Sequence, residues 1–236
     1  MRMQATEVVP NHVAVILDGN RRWSKENGGS LSEGYAAGAE KLEQFLEWTA
    51  EAGVKNISAY VLSGENLRRS KKELRMLFDV MCKYGERWLE PGGLVDKYEV
   101  RINFMGNLNR LPVRLMRVIE RMKVKTAKYT KRFLNILIAY SGKEEITEAV
   151  RGIIKSVMKH GGIKITPKSI EKRLAVKMPV DMVIRTGGQS RLSNFLLWQT
   201  AYAEIYVTKT FWPDFSKREF TKSLNWFAST QRNFGS

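Results

Sequence analysis

The sequence has little cysteine, no long apolar run and a deficit of acidic residues, and each shortage narrows what the protein can be. A single cysteine, Cys82, excludes an internal disulfide and fits a reducing cytosol. It lies in the helix-like stretch LFDVMCKYGERW, where a thiol reads as a small core group rather than a nucleophile. The longest apolar runs, such as FLNILIAY, are far too short to span a bilayer, and the N-terminal MRMQATEVVPNH lacks the apolar core of a secretory signal. Low-complexity tracts and an obvious linker are also missing.

Acidic residues are outnumbered, 24 against 40 Lys and Arg, for a net charge of +16. Such an excess implies an anionic partner: nucleic acid, an anionic membrane surface or a phosphorylated substrate. Charge alone does not choose among them. The cluster RMKVKTAKYTKR at 121–132 reads as a solvated basic face. A nucleic-acid module would interleave aromatics with surface Lys and Arg. Trp23, Trp198 and Trp212 instead sit in apolar or motif contexts, so no nucleic-acid partner is expected.

What is present is an alternation of short apolar strands with amphipathic helices. With 236 residues, 43% of them hydrophobic, the chain suits one α/β domain over 1–236, although two small domains would fit by length. Strand-like runs fall at His12–Asp18, Asn56–Leu62, Val100–Met105, Phe133–Tyr140, Met182–Arg185 and Ala203–Val207. Helical patterns cover Gly34–Gly53, Lys71–Leu89 and roughly 112–129, 143–159, 167–176 and 216–230. This alternation predicts a mainly parallel sheet of about six strands flanked by helices, with ligands beyond the carboxyl ends of the strands.

Three polar segments follow strands. Asp18-Gly19-Asn20-Arg21-Arg22-Trp23 offers a glycine turn, whose free backbone N–H groups make a nest for phosphate oxygens, together with bidentate arginine. A carboxylate at an anion site repels its ligand unless a hard cation bridges the two, and Mg²⁺ takes one or two carboxylates plus substrate phosphates. Ser63-Gly64-Glu65-Asn66-Leu67-Arg68-Arg69 carries groups that can orient a polar head. It also leads into a helix with Ser70 as N-cap and Glu73 completing a capping box. Arg185-Thr186-Gly187-Gly188-Gln189-Ser190-Arg191-Leu192-Ser193 reads as a second diphosphate cradle, with the glycine pair bringing backbone amides close.

These segments resemble the cis-prenyltransferase family, which includes the undecaprenyl diphosphate synthases. The resemblance runs from about His12 to Gly235 through HVAVILDGNRRW, YAAGAE, LSGENLRR, RTGGQSRLSNFLLWQTAYAEIY, WPDF and RNFG. It implies a Mg²⁺-dependent condensation of prenyl diphosphates, a hydrophobic tunnel for the growing chain and a homodimer. It further implies a cytoplasmic enzyme, with peripheral membrane association through the lipid product as a second placement. The DDxxD metal motifs of trans-prenyltransferases are absent. Carried over by position, Asp18 matches the Mg²⁺ carboxylate, and Gly19, Asn20 and Arg22 match the allylic diphosphate loop. Ser63, Asn66 and Arg69 match the catalytic loop, and Arg185, Arg191 and Ser193 match the isopentenyl diphosphate site. Glu204 matches a metal ligand near the dimer interface.

The chain also departs from the family's pattern. Leu31 stands where many members place an arginine, Tyr35 replaces a histidine, Leu67 an aromatic residue and Gln189 a glutamate. Of an arginine-rich C-terminal segment only Arg232 remains. A lost bidentate arginine contact costs about 1.5–3 kcal/mol unless another group, such as Arg21, compensates. Three readings follow: a cis-prenyl chain elongator, an enzyme making an irregular branched linkage, and a non-catalytic partner subunit. Retention of Asp18, Asn66, Arg185, Arg191 and Glu204 argues against the third.

Overall fold

The computed structural model describes residues 8–160 and 164–230. Six parallel strands form one sheet: β1 His12–Ile16, β2 Asn56–Ser63, β3 Val100–Met105, β4 Arg132–Tyr140, β5 Met182–Arg185 and β6 Glu204–Val207. Their order is β3-β4-β2-β1-β5-β6, and every neighbouring pair is parallel. All six strands expected from the sequence are present, with ends shifted by two residues or fewer.

The helices are α1 Asn20–Glu26, α2 Leu31–Glu51, α3 Lys71–Leu89, α4 Leu94–Lys97, α5 Val113–Thr126, α6 Gly142–His160, α7 Pro167–Glu171 and α8 Lys217–Ser229. Alternation along β1 sends Val13 and Val15 into a large core shared with Phe45, Leu46, Leu77 and Leu115 of α2, α3 and α5. Ala14 and Ile16 face a smaller cluster on the other side with Val183, Phe195 and Leu196. Helix α1 is not evident from sequence, because NRRWSKE carries no apolar stripe. Its conformation is imposed by packing: Gly34 of α2 comes so close that an added Cβ would lie 1.9 Å from Ser24 Oγ.

At the amino ends of the strands a polar ladder crosses the sheet. His12 Nε2 meets Ser58 Oγ at 2.8 Å, and its Nδ1 lies 2.9 Å from the Pro179 carbonyl. The Asn135 side-chain amide donates to Ser58 Oγ, and that of Asn103 donates to Asn135 Oδ1. Burial holds the His12 imidazole below its ordinary 6.5, so the neutral ring is the form this network accommodates.

From β1 the chain lays β2 alongside, places β3 at the edge, inserts β4 between them, and then returns to place β5 and β6 on the other side of β1. The switch point therefore lies between β1 and β5. Side chains and loops at the carboxyl ends of these two strands define the crevice where open α/β sheets bind ligands.

Candidate active site

Asp18 stands at this switch point. Gly19 precedes α1 in the left-handed region with φ 114°, and an added Cβ there would meet Phe211 at 2.7 Å. The turn is short, Asp18 and Gly19 alone: Asn20, Arg21 and Arg22 already belong to α1. The expected glycine nest is thus one αL glycine followed by the first turn of a short helix, whose leading N–H groups have no intrahelical partner.

Arg22 donates to Asp18 Oδ1 at 3.1 Å and Arg185 donates to Oδ2 at 3.0 Å. Arg185 is 4% exposed. It also donates to Ser193 Oγ at 2.8 Å and to the Arg191 carbonyl. One buried guanidinium thus joins the loop after β1 to the loop after β5. Arg22 is further steadied over the Phe211 ring, 5.0 Å from its centroid. The WPDF turn supports the same spot, since the Trp212 backbone N–H donates to the Asp18 carbonyl and its indole to the Gly38 carbonyl.

The glycine pair has a different role from the one its sequence suggests. Gly187 N–H donates to the Thr210 carbonyl and Gly188 N–H to the Thr208 carbonyl, both at 2.8 Å. These amides are committed to the chain leaving β6 and do not form a free cradle. Glycine is required for conformation and space: φ is 79° at Gly187, where a Cβ would fall 2.4 Å from Arg22 Nη2.

On the β2 side, Ser63 Oγ accepts from the Asn66 N–H at 3.1 Å and fixes a 3-10 turn over Glu65–Arg68. Among the described residues the Asn66 side-chain amide has no hydrogen-bond partner. Ser70 caps α3 as expected, accepting from the Glu73 N–H. The capping box does not close, because the Glu73 carboxylate turns into the site. Its Oε1 accepts from Tyr35 Oη at 2.7 Å and pairs with Arg69 at 3.3 Å and Arg21 at 3.5 Å. Arg69 also donates to Tyr35 Oη at 3.1 Å. Burial, then the Glu73 bond, pushes the Tyr35 phenol up to about 12, so it remains a neutral donor at physiological pH. Sequence reasoning read Glu73 only as a cap; its partners lie 4 to 52 residues away and leave no local signal.

These groups ring the mouth of a pocket of about 730 Å³. Gly19, Asn20, Arg21, Arg22, Leu31, Tyr35, Ser63, Asn66, Arg69, Arg185 and Ser193 all line it, together with Asp18. Its far end is apolar, built from Leu77, Met81, Trp88, Leu115, Met122 and Ile136 of α3, α5 and the sheet. Three expected site residues stand apart from that lining. Trp23 donates its indole N–H to Asp214 at 2.8 Å. Arg191 is exposed and donates to Gln189 Oε1. Glu204 opens β6 opposite Met182, at the amino edge, whereas Arg185 pairs with Val207 at the carboxyl edge. The chain therefore does not bring Glu204 to Asp18, and no group of three or more potential metal-ligating side chains exists among the described residues. RNFG at 232–235, with Arg232, lies outside the described residues.

The undecaprenyl diphosphate synthase family model matches residues 16–235. This chain belongs to that family. The family's prenyltransferases include a tritrans,polycis-undecaprenyl-diphosphate synthase (geranylgeranyl-diphosphate specific) of Methanopyrus kandleri, 40% identical over 96% of this chain and 85% of its own length. An isoprenyl transferase of Thermotoga maritima is 37% identical, covering 96% of this chain and 97% of that protein. Among solved structures, lavandulyl diphosphate synthase from Lavandula x intermedia in complex with dimethylallyl diphosphate matches with a TM-score of 0.91. It has 30% identity, and the match covers 97% of this chain and 99% of that one. The family's single-domain, all-parallel α/β fold is the one described above, and membership makes the chain an enzyme of the cis-prenyl diphosphate synthase type. No described helix is long and apolar enough to cross a membrane.

Proposed function

We propose that the protein condenses an allylic prenyl diphosphate with isopentenyl diphosphate, in the presence of Mg²⁺, to give a linear cis-polyprenyl diphosphate. The observation that carries this reading is a polar mouth rich in arginine opening into an apolar pocket of about 730 Å³. That size suits an enclosed organic ligand, and its division into cationic mouth and apolar depth suits a diphosphate carrying a hydrocarbon chain. Growing chains would extend between α2, α3 and the sheet. Relatives specific for geranylgeranyl diphosphate make that compound the first donor to try.

In the reaction the allylic C–O bond breaks, the diphosphate leaves with its electron pair, and the acceptor's alkene forms the new C–C bond. Loss of a proton from the adjacent carbon restores the double bond. Arg21, Arg22 and Arg69 supply charge-assisted hydrogen bonds to the donor's diphosphate, and Arg185 with Ser193 faces the acceptor's. Asn66, whose side-chain amide is unpaired at the pocket, would orient the reacting ends. The donor set fits Mg²⁺, since one partly exposed carboxylate, Asp18, borders an anion site of the kind this ion bridges. Bound there with the diphosphate, the ion would neutralise the leaving group. A homodimer and the contribution of Glu204 to a metal site belong to this reading and are testable by sedimentation and by Glu204→Ala.

The irregular-linkage reading is kept by one observation, the TM-score of 0.91 to lavandulyl diphosphate synthase, together with the altered positions Leu31 and Tyr35 at the mouth. The deciding experiment incubates pure protein with Mg²⁺, geranylgeranyl or farnesyl diphosphate and labelled isopentenyl diphosphate, and separately with dimethylallyl diphosphate alone. Linear cis products from the first mixture are expected. A branched product from dimethylallyl diphosphate alone, with none from isopentenyl diphosphate, would overturn the proposal.

A further inference from the structure

The charge excess is distributed unevenly once ion pairs are traced. In the sequence the most obvious basic cluster is 121–132, yet its cations are largely neutralised. Arg121 pairs with Glu86, Lys123 with Glu120, Lys125 with Asp96 and Lys131 with Glu99. A quieter stretch behaves differently. Between Arg151 and Met178 there are eight Lys and Arg and a single acidic residue, Glu171. Among the described residues only Arg151 there has a carboxylate partner, Glu148. Lys155, Lys159, Lys164, Lys168, Lys172 and Lys177 are all exposed.

The same surface carries large apolar side chains in water. Of nine exposed large hydrophobics among the described residues, four are here: Ile154 at 48%, Met158 at 83%, Ile165 at 62% and Met178 at 40% exposure. On α6, Ile154 and Met158 are one turn apart, and Arg151 and Lys155 form the neighbouring row. Helix α6 buries its opposite face through Ala149 and Ile153. The α7 region is fastened to it by Arg173, which donates to Ser156 Oγ at 2.8 Å. Unpaired lysines alternating with protruding aliphatic side chains, on elements fixed to each other, describe an interfacial surface.

We infer that the outer face of α6, with α7 and the Lys177–Met178 segment, docks the enzyme on an anionic lipid bilayer. Lysines meet acidic headgroups, while Ile154, Met158, Ile165 and Met178 enter the headgroup boundary. Nucleic acid is the weaker match, because residues 151–178 contain no Phe, Tyr or Trp on which a base would stack. The inference rests on exposure and charge, not on the proposed reaction, so vesicle binding and turnover fail independently.

The test is co-sedimentation of the full chain with vesicles of phosphatidylcholine alone and of equal phosphatidylglycerol and phosphatidylcholine, at about 0.1 M salt. Anionic vesicles should bind at least about tenfold more tightly. Lys155→Glu, Lys159→Glu, Lys168→Glu and Lys172→Glu combined should lose about tenfold or more. Ile154→Ser with Met158→Ser should weaken binding severalfold at unchanged charge. A control with Arg117→Glu, Lys123→Glu, Lys128→Glu and Lys131→Glu, of equal net charge, should keep most of the affinity. Equal binding to both vesicle types, an equal loss in the control, or displacement of the protein from vesicles by a single-stranded oligonucleotide would each overturn the assignment. Thermal melts and turnover on soluble short-chain substrates establish that each variant is folded.

Discussion

Asp18 has two tasks, and the second is visible only in three dimensions. Its carboxylate borders the anion site, and it is also the acceptor for the buried Arg185. Asp18→Ala should therefore abolish turnover and also cost about 1–3 kcal/mol of stability, since it strands a buried guanidinium. Asp18→Asn keeps one acceptor and should lose well over tenfold in kcat, more than about 1.4 kcal/mol, with a smaller shift in urea midpoint. Equal midpoints for wild type and Asp18→Ala would remove the structural role. Glu73 likewise has several partners, Tyr35, Arg69 and Arg21. Glu73→Gln retains an acceptor for Tyr35 but gives up both ion pairs, freeing Arg21 and Arg69 to move. Donor KM should rise about tenfold, a discounted value because Arg21 is 57% exposed. Little change in acceptor KM is expected. A variant whose two KM values moved together would show that Glu73 does not act on the donor side.

Among the elements, α1 is the one whose placement matters most and whose existence owes least to its own residues. It has seven residues and no side-chain N-cap, and isolated helices of that length are unstable. What holds it is contact with α2 at Gly34, where a Cβ would also lie 2.7 Å from the Asn20 carbonyl oxygen. Gly34→Ala must push α1 away. Overpacking of this kind costs about 1–3 kcal/mol, and because α1 carries Asn20, Arg21 and Arg22, donor KM should rise along with the loss of thermal stability. Adding Ser24→Ala removes the nearer obstacle, the hydroxyl, and should restore part of both. If Gly34→Ala lowered stability with unaltered KM, α1 placement and donor binding would be uncoupled. The long helices and the strands follow their own patterns closely: α3 and the strands β3 and β5 match the periodicity residue for residue. At Gly187 and Gly188 local reading fails, because a glycine pair signals an unusual conformation without saying which carbonyls its amides will meet.

Across the whole molecule, the two ends of the sheet are chemically distinct. The carboxyl end holds the arginine-rich mouth, and the amino end holds the neutral His12 ladder. Folding depresses the His12 pKa below its ordinary 6.5, so below that pH the unfolded chain binds a proton that the folded chain does not. Stability from this site is complete above about pH 6.5 and is lost as pH falls toward the folded value. Urea midpoints for wild type and His12→Gln should differ most near neutrality and converge in acid. Parallel pH dependences for the two proteins would mean that His12 contributes nothing to the acid loss.

The sequence by itself determined the order and phase of the elements and the fact that polar segments follow β1, β2 and β5. Alternation and amphipathic spacing are local, and apolar burial rewards them wherever the chain places them. It also supplied the residue types that line the mouth. Only the tertiary structure decided which segments meet. Strand pairing is made by backbone groups common to every residue, so the order β3-β4-β2-β1-β5-β6 is not written in any one strand. That order puts β5 beside β1 and brings Arg185 to Asp18 across 167 positions. The same parallel register leaves Glu204 at the opposite edge, while packing of α1 and α2 against α3 turns Glu73 from cap to hub. Charges and carboxylates are chosen locally, but their partners are set by contacts between elements far apart in the chain.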